Sequence, residues 1–272
     1  MPITVRRLVE CVEALAPPGL AEAWDNVGLQ VGAPDAEIRR VLLTVDVTRQ
    51  VLDEAAGNDA GAIVAHHPVL FGEIGSLRPD RWPGCVVVPL VIGRRALIVA
   101  HTNLDWSPAA NTSAALAEWY GFSEWEPLQR HSTQEAAHLG VVVEAPQLSA
   151  VEVIGRCHRG PDETLEPPRR GLWPNLGMHP AATTTRERVA VVAGSGKGLQ
   201  EAVLQAGAKA LVAGEIGHHA MLELQQLGVR SVEIGHADSE RPAIEKLARL
   251  LEESLEGAAE VVVSEEPRGV LA

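Results

Sequence analysis

Six residues of metal-binding type stand at or just beyond the ends of apolar runs: His66, His67, His101, Asp105, His236 and Glu240. Imidazole together with carboxylate suits Zn²⁺, Mn²⁺, Fe²⁺ or Ni²⁺, and one carboxylate can bridge two ions. Such a set is larger than a single tetrahedral ion needs. His66 and His67 close the run Ala62-Ile63-Val64-Ala65, and Pro68 stops the strand after them. Adjacent imidazoles at a strand end point to opposite sides. One ion takes both only if the turn swings them together, whereas two ions take one each. The plainer alternative is a pair of polar turn residues. Asp105 alone reads first as a turn or cap residue, but a second strand end delivering His101 and Asp105 weighs against that. His236 and Glu240 are four residues apart. Pro242 places the start of the following helix near Glu240, with His236 on the loop before it, so the spacing does not establish a shared face.

Other polar groups compete less well. His218-His219 falls at the entry of a helix, where neighbours diverge by about 100°, and reads as a surface or supporting pair. Gly194-Ser195-Gly196-Lys197-Gly198 resembles a phosphate loop, but position 191 is Val where a Walker loop needs Gly, and Lys197 is followed by Gly198 where it needs Ser or Thr. A tight turn is the first reading and an anion contact at the helix start the second. Asp25-Asn26 reads as a pair that hydrogen-bonds its own turn.

The elements that must position these groups alternate in an α/β pattern. Val41–Val47 is a strand, Thr48 caps a helix from Arg49 to Gly57, and Ile63 begins the next strand. That βαβ unit makes the two strands parallel neighbours, and in open α/β sheets the ligand crevice lies at the strands' carboxyl ends. Ala96–Ala100 is a third strand, running into His101-Thr102-Asn103-Leu104-Asp105. Thr4 caps a first helix to about Leu15, and Asn111 or Thr112 caps one to Tyr120. From Phe122 a second unit begins, with strands at Leu139–Val143 and Val151–Gly155, then a long loop over Arg159–Arg188 with room for one short strand. Val189–Ala193 and Ala210–Ala213 form another βαβ unit. Ser231–Ile234 ends at Gly235-His236-Ala237-Asp238-Ser239-Glu240, Ser239 caps a long amphipathic helix, and Ala259–Ser264 is a closing strand.

Composition narrows the class. Against 23 Lys and Arg stand 36 Asp and Glu, a net charge of −13, which disfavours a nucleic-acid partner. No apolar run reaches the roughly 18 residues a membrane span needs. Charged residues Arg6, Arg7, Glu10 and Glu13 make the start of the chain an amphipathic helix and not a signal peptide. Cys11, Cys85 and Cys157 are far apart, which fits a reducing, cytoplasmic setting.

The segments WDNVGLQVG, AHHPVLFG, HTNLD, VAGSG, GEIGHH and GHADSERPAIEKLA, in this order, resemble the Nif-three-like dinuclear metal-centre family, whose members are often described as GTP cyclohydrolase I type 2 homologues. The resemblance implies two interlinked α/β halves with mixed, partly parallel sheets and a dinuclear metal site between them. The halves would be 1–125, with 236–272 packing back, and 126–235. It implies two divalent ions per chain (Zn, Mn, Fe or Ni), held by His66, His67, Asp105, His236 and Glu240. Glu240 is the natural bridge, and His101, just outside the set, is placed to shuttle a proton. It further implies a toroidal homohexamer and hydrolysis of a nucleotide-like or phosphorylated small molecule, with GTP cyclohydrolase-type ring opening as one case. A non-enzymatic metal-binding regulator or scaffold is the alternative. Ala237, Asp238 and the stretch Arg159–Thr185 depart from the family's pattern.

Overall fold

A computed structural model describes residues 2–146, 170–172 and 186–265. In chain order the elements are β1 (Ile3–Thr4), α1 (Val5–Leu15), β2 (Gly28–Val31), β3 (Glu37–Ile38), β4 (Arg40–Thr44), α2 (Arg49–Gly57), β5 (Ala62–Ala65), α3 (Gly84–Ile92), β6 (Ala96–Val99) and the single turn α4 (Thr102–Asp105). After them come α5 (Thr112–Trp119), β7 (Glu126–Arg130), β8 (His138–Pro146), β9 (Arg170–Leu172), β10 (Arg186–Ser195), α6 (Gln200–Gln205), β11 (Ala210–Glu215), α7 (His218–Gln226), β12 (Arg230–Glu233), α8 (His236–Leu255) and β13 (Glu260–Val263). Breaks between Ala110 and Asn111, and between Pro242 and Ala243, divide the chain into two compact units. The chain therefore leaves the first unit, builds the second, and returns within α8. Three of the four caps expected from sequence form: Thr4 accepts from the Arg7 amide, Thr48 from Val51, and Asn111 from Ala114. Each is worth about 1 kcal/mol against alanine.

The first unit carries a five-stranded sheet in the order β13-β4-β5-β6-β2. β13, β4, β5 and β6 are parallel, and β2 runs antiparallel to β6. The short apolar runs give strands because both faces are covered. Leu42, Ile63 and Leu97 pack in one buried cluster with Val51 and Ala55 of α2 and Leu90 of α3. Burying each of the larger side chains stabilises the unit by roughly 1.5–3 kcal/mol. Pairing aligns Thr44 with Ala65 and Ala65 with Val99, so three parallel strands end level. Hydrogen bonding continues one step past them, from His66 N to Thr44 O, His67 N to Val45 O and Ala100 N to Ala65 O, at 3.0–3.1 Å. Whatever follows these strands emerges along one edge.

The second unit holds a six-stranded sheet, β7-β8-β10-β11-β12-β9. β10, β11 and β12 are parallel; β7, β8 and β9 run antiparallel to their neighbours. β10 shows the period-two alternation of a strand buried on both faces. Val189, Val191 and Ala193 pack with Ala114, Leu116 and Ala117 of α5, while Ala190 and Val192 pack with Val203 of α6 and Leu224 of α7. Of the expected elements, the strand at Val151–Gly155 and most of the 159–188 loop lie outside the described residues. From that loop the structure describes β9, and the start of β10 where Arg186 was expected to be loop.

His138, the first residue of β8, is buried against Trp125, with ring centroids 4.9 Å apart. Burial pushes its pKa below the ordinary value near 6.5, and Arg130 adds to this, against a smaller opposing effect from the Ala136 carbonyl. A depressed folded pKa means that protonation favours the unfolded chain. The contribution is therefore complete above the unfolded value and shrinks as pH falls below it. Urea midpoints should fall between pH 7.5 and 5.5, and fall less in His138→Phe. Parallel losses in both proteins would assign the acid sensitivity to other groups.

Candidate metal centre

The level ends of β4, β5 and β6 place Asp46, His66-His67 and His101 together in the first unit. One ring nitrogen from each of His66, His67 and His101 lies within 4.8 Å of the others. The ring centroids are 5.1–5.6 Å apart. The one-turn helix α4 brings Asp105 round to the same side, with Oδ1 3.7 Å from His66 Nε2. The turn at Pro68 thus does what adjacent strand residues cannot do alone, and brings both imidazoles into one cluster.

Each imidazole is held through Nδ1 by an oxygen that can only accept. His66 Nδ1 is 2.8 Å from the Ala100 carbonyl, His67 Nδ1 is 2.8 Å from Asp46 Oδ1, and His101 Nδ1 is 2.9 Å from Asp25 Oδ1. Nδ1 must carry the proton in each bond, so in the neutral ring Nε2 carries the lone pair. An oxygen acceptor behind the ligating ring is the arrangement that orients metal-binding histidines and raises their basicity. Three such imidazoles beside a carboxylate fit a borderline divalent metal.

Asp25 is the most heavily engaged of these acceptors. It does bond its own turn, with Oδ1 2.8 Å from Asn26 N. It also takes His101 on Oδ1, and on Oδ2 the Thr102 amide at 3.1 Å and hydroxyl at 2.5 Å. Its side chain is 0% exposed. Burial raises its pKa, but the bonds from His101 and Thr102 outweigh that and hold it well below the usual carboxylate range. Thr102 Oγ1 in turn accepts from Glu22 N at 3.0 Å. Asn103 takes the His101 amide at 2.9 Å and donates to Ala16 O at 2.6 Å. A stretch distant in sequence thereby fixes the His101 turn.

The second unit holds the other two expected residues. α8 begins at His236, with Pro242 inside it. This corrects the expected start near Glu240, and Ser239 is not the cap. Pro242 withholds only the bond that would reach Asp238, and the turn before it closes through Ser239 N to Gly235 O at 3.0 Å. The four-residue spacing is therefore a true helical face: His236 Nε2 lies 3.1 Å from Glu240 Oε1. Ser239 instead bridges, donating to His236 O at 2.6 Å and accepting from Gly194 N at 2.8 Å. Glu215, at the end of β11, stands 3.4 Å from His236 Nδ1.

Gly194 explains its own loop. Its φ is +64°, and a Cβ there would overlap Glu240 Oε1 and lie 3.4 Å from His236 Nε2. The glycine is present so that this pair can sit against backbone, and the loop closes as a turn through Gly196 N to Glu215 O at 2.7 Å. Gly194→Ala should displace the Glu240 carboxylate and cost about 1 kcal/mol or more in backbone strain. Calorimetric metal titration should then show weakened binding in a folded protein, and unchanged binding would remove this role. His218 and His219 start α7, exposed, with centroids 5.4 Å apart. Among the described residues they join no cluster of three ligand-type side chains.

Sequence reasoning passed over Asp46 and Glu215. Both are strand-end carboxylates, and that position was the available signal.

The chain has a mixed α/β fold whose strand ends gather imidazoles and carboxylates that could hold a metal ion. Residues 3–268 match the family described as Duf34/NIF3 (NGG1p interacting factor 3), and the chain belongs to it. A relative from Clostridium perfringens called "GTP cyclohydrolase 1 type 2 homolog" is 29% identical over 96% of both chains. Another with that name, from Streptomyces coelicolor, is 33% identical over 79% of this chain and 74% of its own. In structure the chain is similar to the Staphylococcus aureus hypothetical protein SA1388, with a TM-score of 0.83 at 24% identity over 100% of this chain and 99% of that one.

Proposed function

We propose that the chain is a divalent-metal-dependent hydrolase of a nucleotide-like or phosphorylated small molecule, with two ions per chain. Its ligands are His66, His67, Asp105, His236 and Glu240. The observation that carries this is the gathering of His66, His67 and His101, each with Nδ1 held by an oxygen acceptor and one ring nitrogen within 4.8 Å of the others'. Bound ions would supply Lewis-acid activation of water and polarisation of a substrate oxygen.

The protein's own groups do the rest. The Ala100 carbonyl and Asp46 orient the His66 and His67 rings through Nδ1. Glu240 would hold the ions through its carboxylate, beside His236. Asp25 keeps the His101 proton on Nδ1, so Nε2 is the atom that receives a proton from the reacting water and later returns it. The names of the relatives point to purine-ring opening as one reaction of this type. The family description as an interacting factor favours a second reading, a metal-binding regulator without turnover. We further place the protein in the cytoplasm as a homohexamer.

Protein purified without chelators and then loaded with Mn²⁺ or Zn²⁺ should contain two ions per chain and sediment near six times 29.0 kDa. It should turn over at least one member of a panel of nucleotides, phosphoesters and cyclic amidines. At most one ion after loading removes the dinuclear centre. Two ions without turnover across the panel favours the regulator.

A further inference from the structure

Two exposed aromatic rings beside the imidazole cluster are left without work by the metal chemistry. Trp24 is 61% exposed and Phe71 50%. Their centroids lie 5.9 Å apart at 80°, and Trp24 stands 6.1 Å from the His101 imidazole at 73°. Both neighbours meet the indole nearly at right angles, so neither stacks flat on it. The indole, more than half exposed, stands next to the histidine we assign to proton transfer.

The loops that carry the rings are not loose. Asn26 Nδ2 donates to Leu70 O at 2.6 Å. Gln30 Oε1 accepts from Val69 N at 3.2 Å and Leu70 N at 2.9 Å, while its Nε2 donates to Leu70 O at 3.2 Å and Asn26 O at 2.7 Å. Asp25 then ties the residue after Trp24 to His101 and Thr102. Apolar surface kept in water is unfavourable. Here it is also held in place by polar bonds on both sides, which lowers the entropy lost when a ligand docks. A flat ring gains most from such a platform, because an open aromatic face stacks on any planar π system, whereas an aliphatic phosphoester offers it nothing comparable.

We propose that Trp24, with Phe71 at its edge, is the stacking subsite for a flat nitrogen heteroaromatic ring of nucleobase type, carried by the substrate and presented to His101. The assignment rests on the hydrolase reading for its substrate. Within that reading it selects nucleotide-like molecules over phosphorylated compounds without a ring.

The test uses the metal-loaded full chain with GMP, AMP and UMP as probes and ribose 5-phosphate as the ringless control, followed by calorimetry. At least one nucleotide should bind more tightly than ribose 5-phosphate. Trp24→Ala should weaken that nucleotide by roughly 5- to 100-fold, Trp24→Phe should recover part of the loss, and the control should change by less than about twofold. Equal binding by wild type and Trp24→Ala overturns the proposal, as does a panel in which no nucleotide outbinds the control. So does a Trp24→Ala protein with altered sedimentation or metal content, since the rings would then serve an interface between copies or the local fold. Metal analysis of the same samples separates the two readings. Ring binding through Trp24 in protein unable to hold two ions keeps the subsite and removes the dinuclear centre; two ions with no ring preference do the reverse.

Discussion

Glu240→Ala is expected to lose at least one of two bound ions, with affinity for that ion down by more than about 100-fold. Outer partners of metal ligands already cost 10- to 100-fold, and Glu240 is proposed as a ligand to both. It is 3% exposed and lies on one helical face with His236. Two divalent ions about 4 Å apart repel by on the order of 10 kcal/mol even at an effective dielectric of 20, so the shared anion cannot be removed without releasing a cation. Elemental analysis of folded protein in an unchanged oligomeric state reads the result. His218→Ala is the control and should keep both ions. If it strips them while Glu240→Ala keeps them, the centre has been assigned to the wrong strand end.

Asp25→Ala should destabilise the first unit by about 3 kcal/mol, since a buried donor left without its acceptor costs about 1–3 kcal/mol and several lose theirs here. The Asp25 side chain has no exposure, and its loss leaves the Thr102 amide, the Thr102 hydroxyl and the His101 Nδ1 proton without their acceptor. Asp46→Asn makes the contrast. Asp46 also holds an imidazole proton, but its side chain is 36% exposed, so water can replace part of what it does. That variant should weaken metal binding by about 10- to 100-fold with little change in the urea midpoint. If Asp25→Ala unfolds no more readily than Asp46→Asn, the Asp25 network is not structural.

Much of this arrangement was legible because its parts are local. Val41–Thr44 and Ala62–Ala65 are short apolar runs ending in polar groups, Thr48 supplies a cap between them, and the parallel pairing follows from the connection. His66, His67 and His101 could be placed on one edge from that alone. α3 was passed over because Gly84–Ile92 is apolar nearly throughout and contains Pro89, so no 3.6-residue period shows. The start of α8 was misplaced because Pro242 was weighed as a helix-start residue, when a single missing amide in the second turn is tolerated. Asp25 was seen only as a turn residue. Its bond to His101 spans 76 positions, and no periodicity or spacing encodes a contact at that distance.

The level strand ends have a consequence for how the chain can change. Side chains alternate along β5 with a period of two. Deleting one residue there would turn Ile63 from the layer it packs in to the opposite buried face, and put His67 in the place of His66, away from the Asp46 that holds it. The packing of the hydrophobic layer and the placement of the imidazoles are thus indexed by the same count of residues. Length in β5 is protected twice over, so insertions and deletions should be absorbed by the exposed stretch between Phe71 and Pro83 and not by the strand.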